Sequence, residues 1–281
     1  MDRIQDLLGK FMGQSSDPLS PEEMEKFRVS SFNEAEGNLH EEDDYHCKIC
    51  RNKGLIMRAV QEENGMWNSV SRECKCMGVR RTIKRMKRSG LKNIIKDYTF
   101  DKFEATDNWQ KTIKEAAMEY AKDPEGWFFI GGQSGAGKTH ICTAICRDFL
   151  LGGRTVKYML WRDDVVKLKN AVTDYEEYTR LIDQYKKVDV LYIDDLFKTG
   201  KAPDGGKQIP TPADVNAAFE ILNYRYNDPS LLTILSSECT VNDILDIDEA
   251  VGGRIFERAK RSFSIKGDKT KNYRLRGAVE L

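Results

Sequence analysis

The chain has 281 residues, 40% hydrophobic and 32% charged with a formal net charge of zero, an ordinary balance for a soluble globular protein of one large domain or two. No apolar run approaches the roughly 18 residues that span a bilayer, and Met1-Asp2-Arg3-Ile4-Gln5-Asp6 lacks the basic start and apolar stretch of a signal peptide. The expectation is no membrane association and a cytoplasmic address, which argues against stable disulfides.

The zero hides an asymmetry. Residues 1–46 carry 12 acidic and 4 basic side chains, residues 47–100 carry 14 basic and 4 acidic, and the remaining 181 sum to −2. Such blocks predict separate modules with different partners. Residues 1–46 read as an acidic N-terminal helical segment: Ser20-Pro21-Glu22-Glu23 offers an N-cap, a proline at the first helical position and acids in the first turn. That helix fades near Glu36-Gly37-Asn38.

Residues 47–96 read as a zinc-binding module with a basic helix. Cys47-Lys48-Ile49-Cys50 and Cys74-Lys75-Cys76 stand 23 residues apart. Two close pairs on turns can supply four thiolates to a tetrahedral Zn²⁺, and a segment with few large hydrophobics needs such a staple. His46 or His40 could replace one thiol, and redox pairs or free thiols are the other reading. Cys142 and Cys146, four apart in a helix, read as core. The stretch Arg80-Arg81-Thr82-Ile83-Lys84-Arg85-Met86-Lys87-Arg88 could follow phosphate backbones or bind an acidic protein face.

Residues 97–281 open with a linker and a helix over Trp109–Ala121, and from Trp127 strands and helices alternate. Strands are expected at Trp127–Ile130, Val156–Leu160, Val188–Ile193, Leu231–Leu235 and Phe263–Ile265. The helices between them are expected at Thr139–Leu151, 163–172, 174–186, Pro212–Tyr226 and 248–260, with a Gly-, Pro- and Lys-rich loop at 198–211. This alternation predicts a mostly parallel sheet covered on both faces.

Gly132-Gln133-Ser134-Gly135-Ala136-Gly137-Lys138-Thr139 fits GxxxxGK[ST] at every fixed position, after an expected strand and before an expected helix. Glycines let the backbone curl so that successive N–H groups face phosphates, and the helix N-terminus adds its positive end. Lys138 is expected at the β- and γ-phosphates of ATP and the Thr139 hydroxyl at Mg²⁺. In Val190-Leu191-Tyr192-Ile193-Asp194-Asp195 an apolar strand ends in two carboxylates. Asp194 is expected on the Mg²⁺ side and Asp195 beside the attacking water. Arg254 and Arg258 lie four apart on one helix face, where one could reach the γ-phosphate held by a neighbouring subunit or both could form surface ion pairs.

The P-loop, the Asp194-Asp195 strand end, Ser236-Ser237-Glu238 after the fourth strand and Gly253-Arg254-Ile255 together resemble the AAA+ ATPases of the DnaC/DnaI helicase-loader family, in their phage and prophage form. The cysteine module before Ser89-Gly90-Leu91…Thr99-Phe100 is similar to the same group, and the resemblance covers about residues 45–275. It implies a three-layer P-loop AAA+ domain with no helical lid and a small zinc-binding domain in front. It also implies ATP hydrolysis, self-association through the ATPase domain, a DnaB-type replicative helicase as partner, and single-stranded DNA as ligand. Arg254 or Arg258 would act in trans, and one residue of Ser236-Ser237-Glu238, with Ser237 a candidate, would fall at the phosphate-sensing position, where many relatives have Asn. The helices at 163–186 would line the DNA path, with Lys167, Lys169 and Arg180 as contacts and Tyr175 and Tyr178 as stacking groups or core residues. The rival expectation is a transposition helper ATPase that binds duplex DNA and a transposase.

Overall fold

A computed structural model describes residues 19–88, 91, 93–199 and 209–275. The first 18 residues of the acidic segment, Ser89-Gly90 of the linker and 200–208 of the Gly/Pro/Lys-rich loop lie outside the described residues. The chain divides into two compact units at Arg80/Arg81.

The first unit holds two helices, Pro21–Glu34 (α1) and His40–Asp43 (α2), and a hairpin of Leu55–Gln61 (β1) and Trp67–Glu73 (β2). Helix α1 begins where Ser20 and Glu23 satisfy each other's backbone N–H groups in a capping box. It packs on the hairpin through Asn33, which accepts from Met57 N–H at 3.0 Å and donates to Met57 O at 2.9 Å. The hairpin was not expected, although Asn64-Gly65 between two runs is a turn signal. Its strands are weakly buried on both faces, so the alternation that reveals a half-buried strand is blurred. From 19 to 80 the buried apolar residues are the four cysteines and Val79.

Helix Cys76–Arg88 (α3) crosses the boundary between the units. The second unit continues with Ile94–Asp97 (α4), Asn108–Lys122 (α5), Phe128–Gly132 (β3), Lys138–Leu151 (α6), Val156–Leu160 (β4), Trp161–Asn170 (α7) and Tyr175–Lys186 (α8). Val190–Leu196 (β5), Pro212–Tyr226 (α9), Leu232–Ser237 (β6), Val241–Ile247 (α10), Glu249–Arg258 (α11) and Arg261–Ile265 (β7) complete it. Among the described residues only two 3₁₀ turns follow β7, at Lys269–Lys271 and Tyr273–Leu275.

The five strands pair in parallel in the order β4-β5-β6-β3-β7. Central strands read as near-continuous apolar runs because both faces are covered. Phe129, Met159, Leu191, Ile193 and Leu235 share one core with α7, α8, α9 and α11. The opposite pleat positions face the side of α6, whose Ile141, Cys142, Ile145 and Cys146 are fully buried. The strand-helix-strand alternation and the three layers thus agree with the sequence expectation. One short helix, α10, was missed, although Thr240 and Asp243 form a capping box at its start.

Two polar devices close the sheet. Strand β4 is an edge, and two of its carbonyls are taken by the end of α3: Thr82 Oγ1 donates to Val156 O at 2.5 Å and Arg85 Nε to Tyr158 O at 2.8 Å. Covered edges do not template foreign strands. Arg225 is wholly buried with no ion pair among the described residues; it donates to Thr233 Oγ1 and to the carbonyls of Tyr185, Lys186, Val188, Asp189 and Leu232. It thereby ties α9 to the entries of β5 and β6, and burial pulls its pKa down to about 10.

Candidate functional site

The glycines of Gly132–Thr139 are dictated by what presses on them. Gly132 and Gly135 have φ of 97° and 73°, and an added Cβ would stand 2.1 Å from Ile265 O at the first and 1.9 Å from Asn272 Oδ1 at the second. The loop therefore wraps tightly between β3 and α6, whose first turn begins at Lys138. Lys138 is 6% exposed and folds back, donating through Nζ to Gly132 O at 2.8 Å and Gln133 O at 2.7 Å. Burial holds its pKa below the usual lysine range, against the pull of Asp195 and Glu238.

At the tip of β5, Asp194 is 4% exposed and surrounded by hydroxyls. Its Oδ1 accepts from Thr139 (3.2 Å), Tyr192 (2.7 Å) and Ser236 (2.5 Å), and its Oδ2 from Tyr158 (2.9 Å). It has no ion pair among the described residues. A buried carboxylate held only by neutral hydroxyls is a place for a cation, and with the adjacent Thr139 hydroxyl the donor set suits Mg²⁺. Asp195 departs from ordinary strand backbone, with φ of 59° at an irregularity between Ile193 and Leu196. Its Oδ2 pairs with Lys198 Nζ at 2.8 Å, and Lys198 reaches Glu238 at 3.3 Å. Burial and then Asp194 push the Asp195 carboxyl above its usual range, while Lys198 opposes them.

A cleft of about 390 Å³ opens over the loop, lined by Ser134, Lys138, Thr139, Asp195 and Glu238, with Phe103, His140, Tyr273 and Arg274 at its flanks. Of the Ser236-Ser237-Glu238 trio, Ser236 reaches Asp194 and Glu238 lines the cleft, whereas Ser237 spends its hydroxyl on Leu196 O at 2.6 Å and accepts from Cys239 N–H at 3.0 Å. Sequence reasoning missed Tyr158 and Tyr192. They face each other across β4 and β5, and Tyr192 shares a strand face with Asp194 two residues on. A buried tyrosine hydroxyl needs a partner, which was the available signal.

Arg254 and Arg258 do not line this cleft. Arg254 lies over Phe219 at 4.6 Å and donates to Asn223 Oδ1 at 3.0 Å. Arg258 has a buried Nε with no acceptor among the described residues. On α7 and α8, Lys167 pairs with Asp164 at 2.9 Å, Lys169 with Asp214 at 2.8 Å and Arg180 with Glu177 at 2.6 Å. Tyr178 donates to Glu220 at 2.6 Å, and Tyr175 is 81% exposed.

The cysteines converge on a second, separate site within the first unit. All four Sγ atoms lie within 4.8 Å of one another and are buried; Cys47 and Cys74 are 3.8 Å apart, Cys50 and Cys76 3.5 Å. Four thiolates at about 2.3 Å from one Zn²⁺ in a tetrahedron require similar edges. Arg51 and Asn52 take positive φ after Cys50, so that Gly54 N–H donates to Cys50 Sγ at 3.3 Å and Cys47 N–H to Asn52 Oδ1 at 2.8 Å. Burial drives the thiols of Cys74 and Cys76 up; a bound cation resolves the conflict of four buried sulfurs sharing protons. His40 and His46 stack on each other at 4.7 Å and stand outside the four-sulfur cluster. Of the basic stretch, Arg80 is buried on Asp43 and Tyr45 O, and Arg85 is half-buried and paired with the buried Asp164.

Comparison with known proteins gives a consistent placement. The profile of the IstB-like ATP binding protein family matches residues 63–278. The chain is 31% identical over 227 residues to phage-like element PBSX protein XkdC of Bacillus subtilis, covering 76% of this chain and 79% of that protein. It is 28% identical over 160 residues to replicative helicase loader DnaC of Escherichia coli, covering 54% of this chain and 63% of the loader, so it spans under two thirds of that relative. A crystal structure of the DnaC helicase loader superposes with a TM-score of 0.50 at 19% identity, over 60% of this chain and 97% of that one, a likeness of fold. No helix among the described residues is long and apolar enough to cross a membrane.

Proposed function

The chain belongs to the IstB-like ATP binding protein family, and on that premise we propose that it is an ATPase that loads a hexameric replicative helicase onto single-stranded DNA. The observation that carries the ATPase reading is the convergence at one cleft of the P-loop, Lys138, the Thr139–Asp194 pair and Asp195. Lys138 leaves the carbonyls of Gly132 and Gln133 and turns its ammonium to the β- and γ-phosphates, whose anionic oxygens are better acceptors. Thr139 and Asp194 would hold Mg²⁺, which when bound would neutralise charge on the terminal phosphates. Tyr158, Tyr192 and Ser236 keep the Asp194 carboxylate in place for that task. Asp195, released from Lys198, orients and deprotonates the attacking water; burial that raises its basicity suits it to the role. Ser236, through Asp194, and Glu238, at the cleft wall, report the nucleotide state to β6 in place of Ser237.

Arg254 and Arg258 act on the nucleotide of an adjacent copy, since they do not line the cleft of their own chain. Arg258, whose buried Nε has no acceptor among the described residues, is the freer of the two. Zinc, when bound by Cys47, Cys50, Cys74 and Cys76, supplies crosslinking and no chemistry. The first unit then serves as the grip on the helicase. Lys167, Lys169, Arg180 and the exposed Tyr175 meet DNA, each cation exchanging its acid partner for a phosphate.

The loader reading is supported by the similarity to the replicative helicase loader. Its test is gel filtration of the chain with a DnaB-type hexamer: an ATP-sensitive complex is expected, and its absence ends the loader reading. A transposition helper would instead prefer duplex DNA and retain a transposase.

A further inference from the structure

One wall of the cleft is built by residues outside the P-loop motif. After β7 the chain turns back across the loop: Asp268 N–H donates to Gln133 Oε1 at 2.8 Å and Tyr273 N–H to Gly135 O at 2.9 Å. Asn272 fills the space beside Gly135 so closely that any side chain there would collide with it. Tyr273 is held from its far end as well, donating its hydroxyl to Glu104 O and accepting from Gln110 Nε2. Gln110 is itself wholly buried, so the tyrosine is gripped by a fixed group.

The next residue, Arg274, lines the cleft together with Lys138, Asp195 and Glu238. The other cations at the cleft are engaged: Lys138 with two carbonyls, Lys198 with Asp195 and Glu238, Lys102 with Asp97. Arg274 is exposed and has no ion pair among the described residues. A pinned backbone that carries an uncommitted guanidinium to a phosphate cleft is suited to bidentate recognition of an anion.

We propose that residues 268–275 are part of the nucleotide site, with Tyr273 fixing the segment and Arg274 pairing with the triphosphate from within the same chain. This assignment rests on the cleft being an ATP site. Calorimetry of the full chain with Mg-ATP tests it. Arg274→Ala is expected to weaken binding about tenfold, the scale of one charge-assisted hydrogen bond, and Arg274→Lys to recover part of the loss. In a second measurement, Mg-ATP should slow tryptic cleavage after Lys271 and Arg274 in the unmodified chain but not in Lys138→Ala. If the unmodified chain binds Mg-ATP and Arg274→Ala binds it equally well, this assignment fails alone. If the unmodified chain gives no heat, the ATP reading falls and the assignment with it.

Discussion

The nucleotide cleft and the cysteine cluster are both small polar sites, yet the chain supports them in opposite ways. The cleft sits on a sheet whose central strands β3, β5 and β6 are buried on both faces, with Phe129, Ile193 and Leu235 wholly inside. Its chemistry is grafted onto a core that stands without ligand. The cysteine cluster lies in a unit whose buried apolar residues, between 19 and 80, are the four cysteines and Val79. There the ligands are the core. On the proposed reading, the first site can lose its ligand and keep its fold, whereas the second depends on the metal its four thiols would hold.

The largest expected effect breaks the comparison at the weaker side. If the four thiols hold zinc as proposed, a chelator, or Cys74→Ser, should unfold the first unit, because structural zinc contributes on the order of 10 kcal/mol to such modules. Far-ultraviolet circular dichroism and hydrogen exchange over 47–80 would read it, while Mg-ATP binding persists. A first unit that keeps its exchange protection without metal would show that the hairpin and α1 suffice.

Next comes Arg225→Met. It removes a guanidinium that satisfies five carbonyls, leaving buried acceptors unpaired, and should cost about 3–5 kcal/mol in urea unfolding of the second unit. The first unit's exchange should not change. Asp195→Asn should lower ATP turnover by about 10²–10⁴ with Mg-ATP affinity retained, as loss of a general base does; parallel loss of affinity would assign Asp195 to binding. Smallest is Tyr192→Phe, which removes one of four hydroxyls on Asp194 and should cost about 1 kcal/mol in stability. A drop in turnover beyond threefold would show that Asp194 orientation is sensitive to a single donor.

The two sites also differ in how they appear in the chain. Eight contiguous residues announce the P-loop, because a backbone curl around phosphate is a local structure. Its wall at Tyr273–Arg274 lies 135 residues from Lys138-Thr139 and carries no motif. Asp194 was legible from its strand, but Tyr158 and Ser236, which hold it, come from neighbouring strands and look like core and turn residues. The basic run 80–88 shows the limit of charge counting. Arg80 and Arg85 are absorbed by buried acids and by the edge of the sheet, leaving Arg81, Lys84 and Arg88 exposed.

Order along the chain was enough to specify the parallel α/β class, the phosphate loop and the four-thiol spacing, because each depends on residues near one another in sequence. Which hydroxyls hold Asp194, which serine turns away, and which arginine reaches the cleft depend on strands and turns meeting across long separations. Packing alone brings those groups within the 2.5–3.2 Å at which the Asp194 hydrogen bonds form.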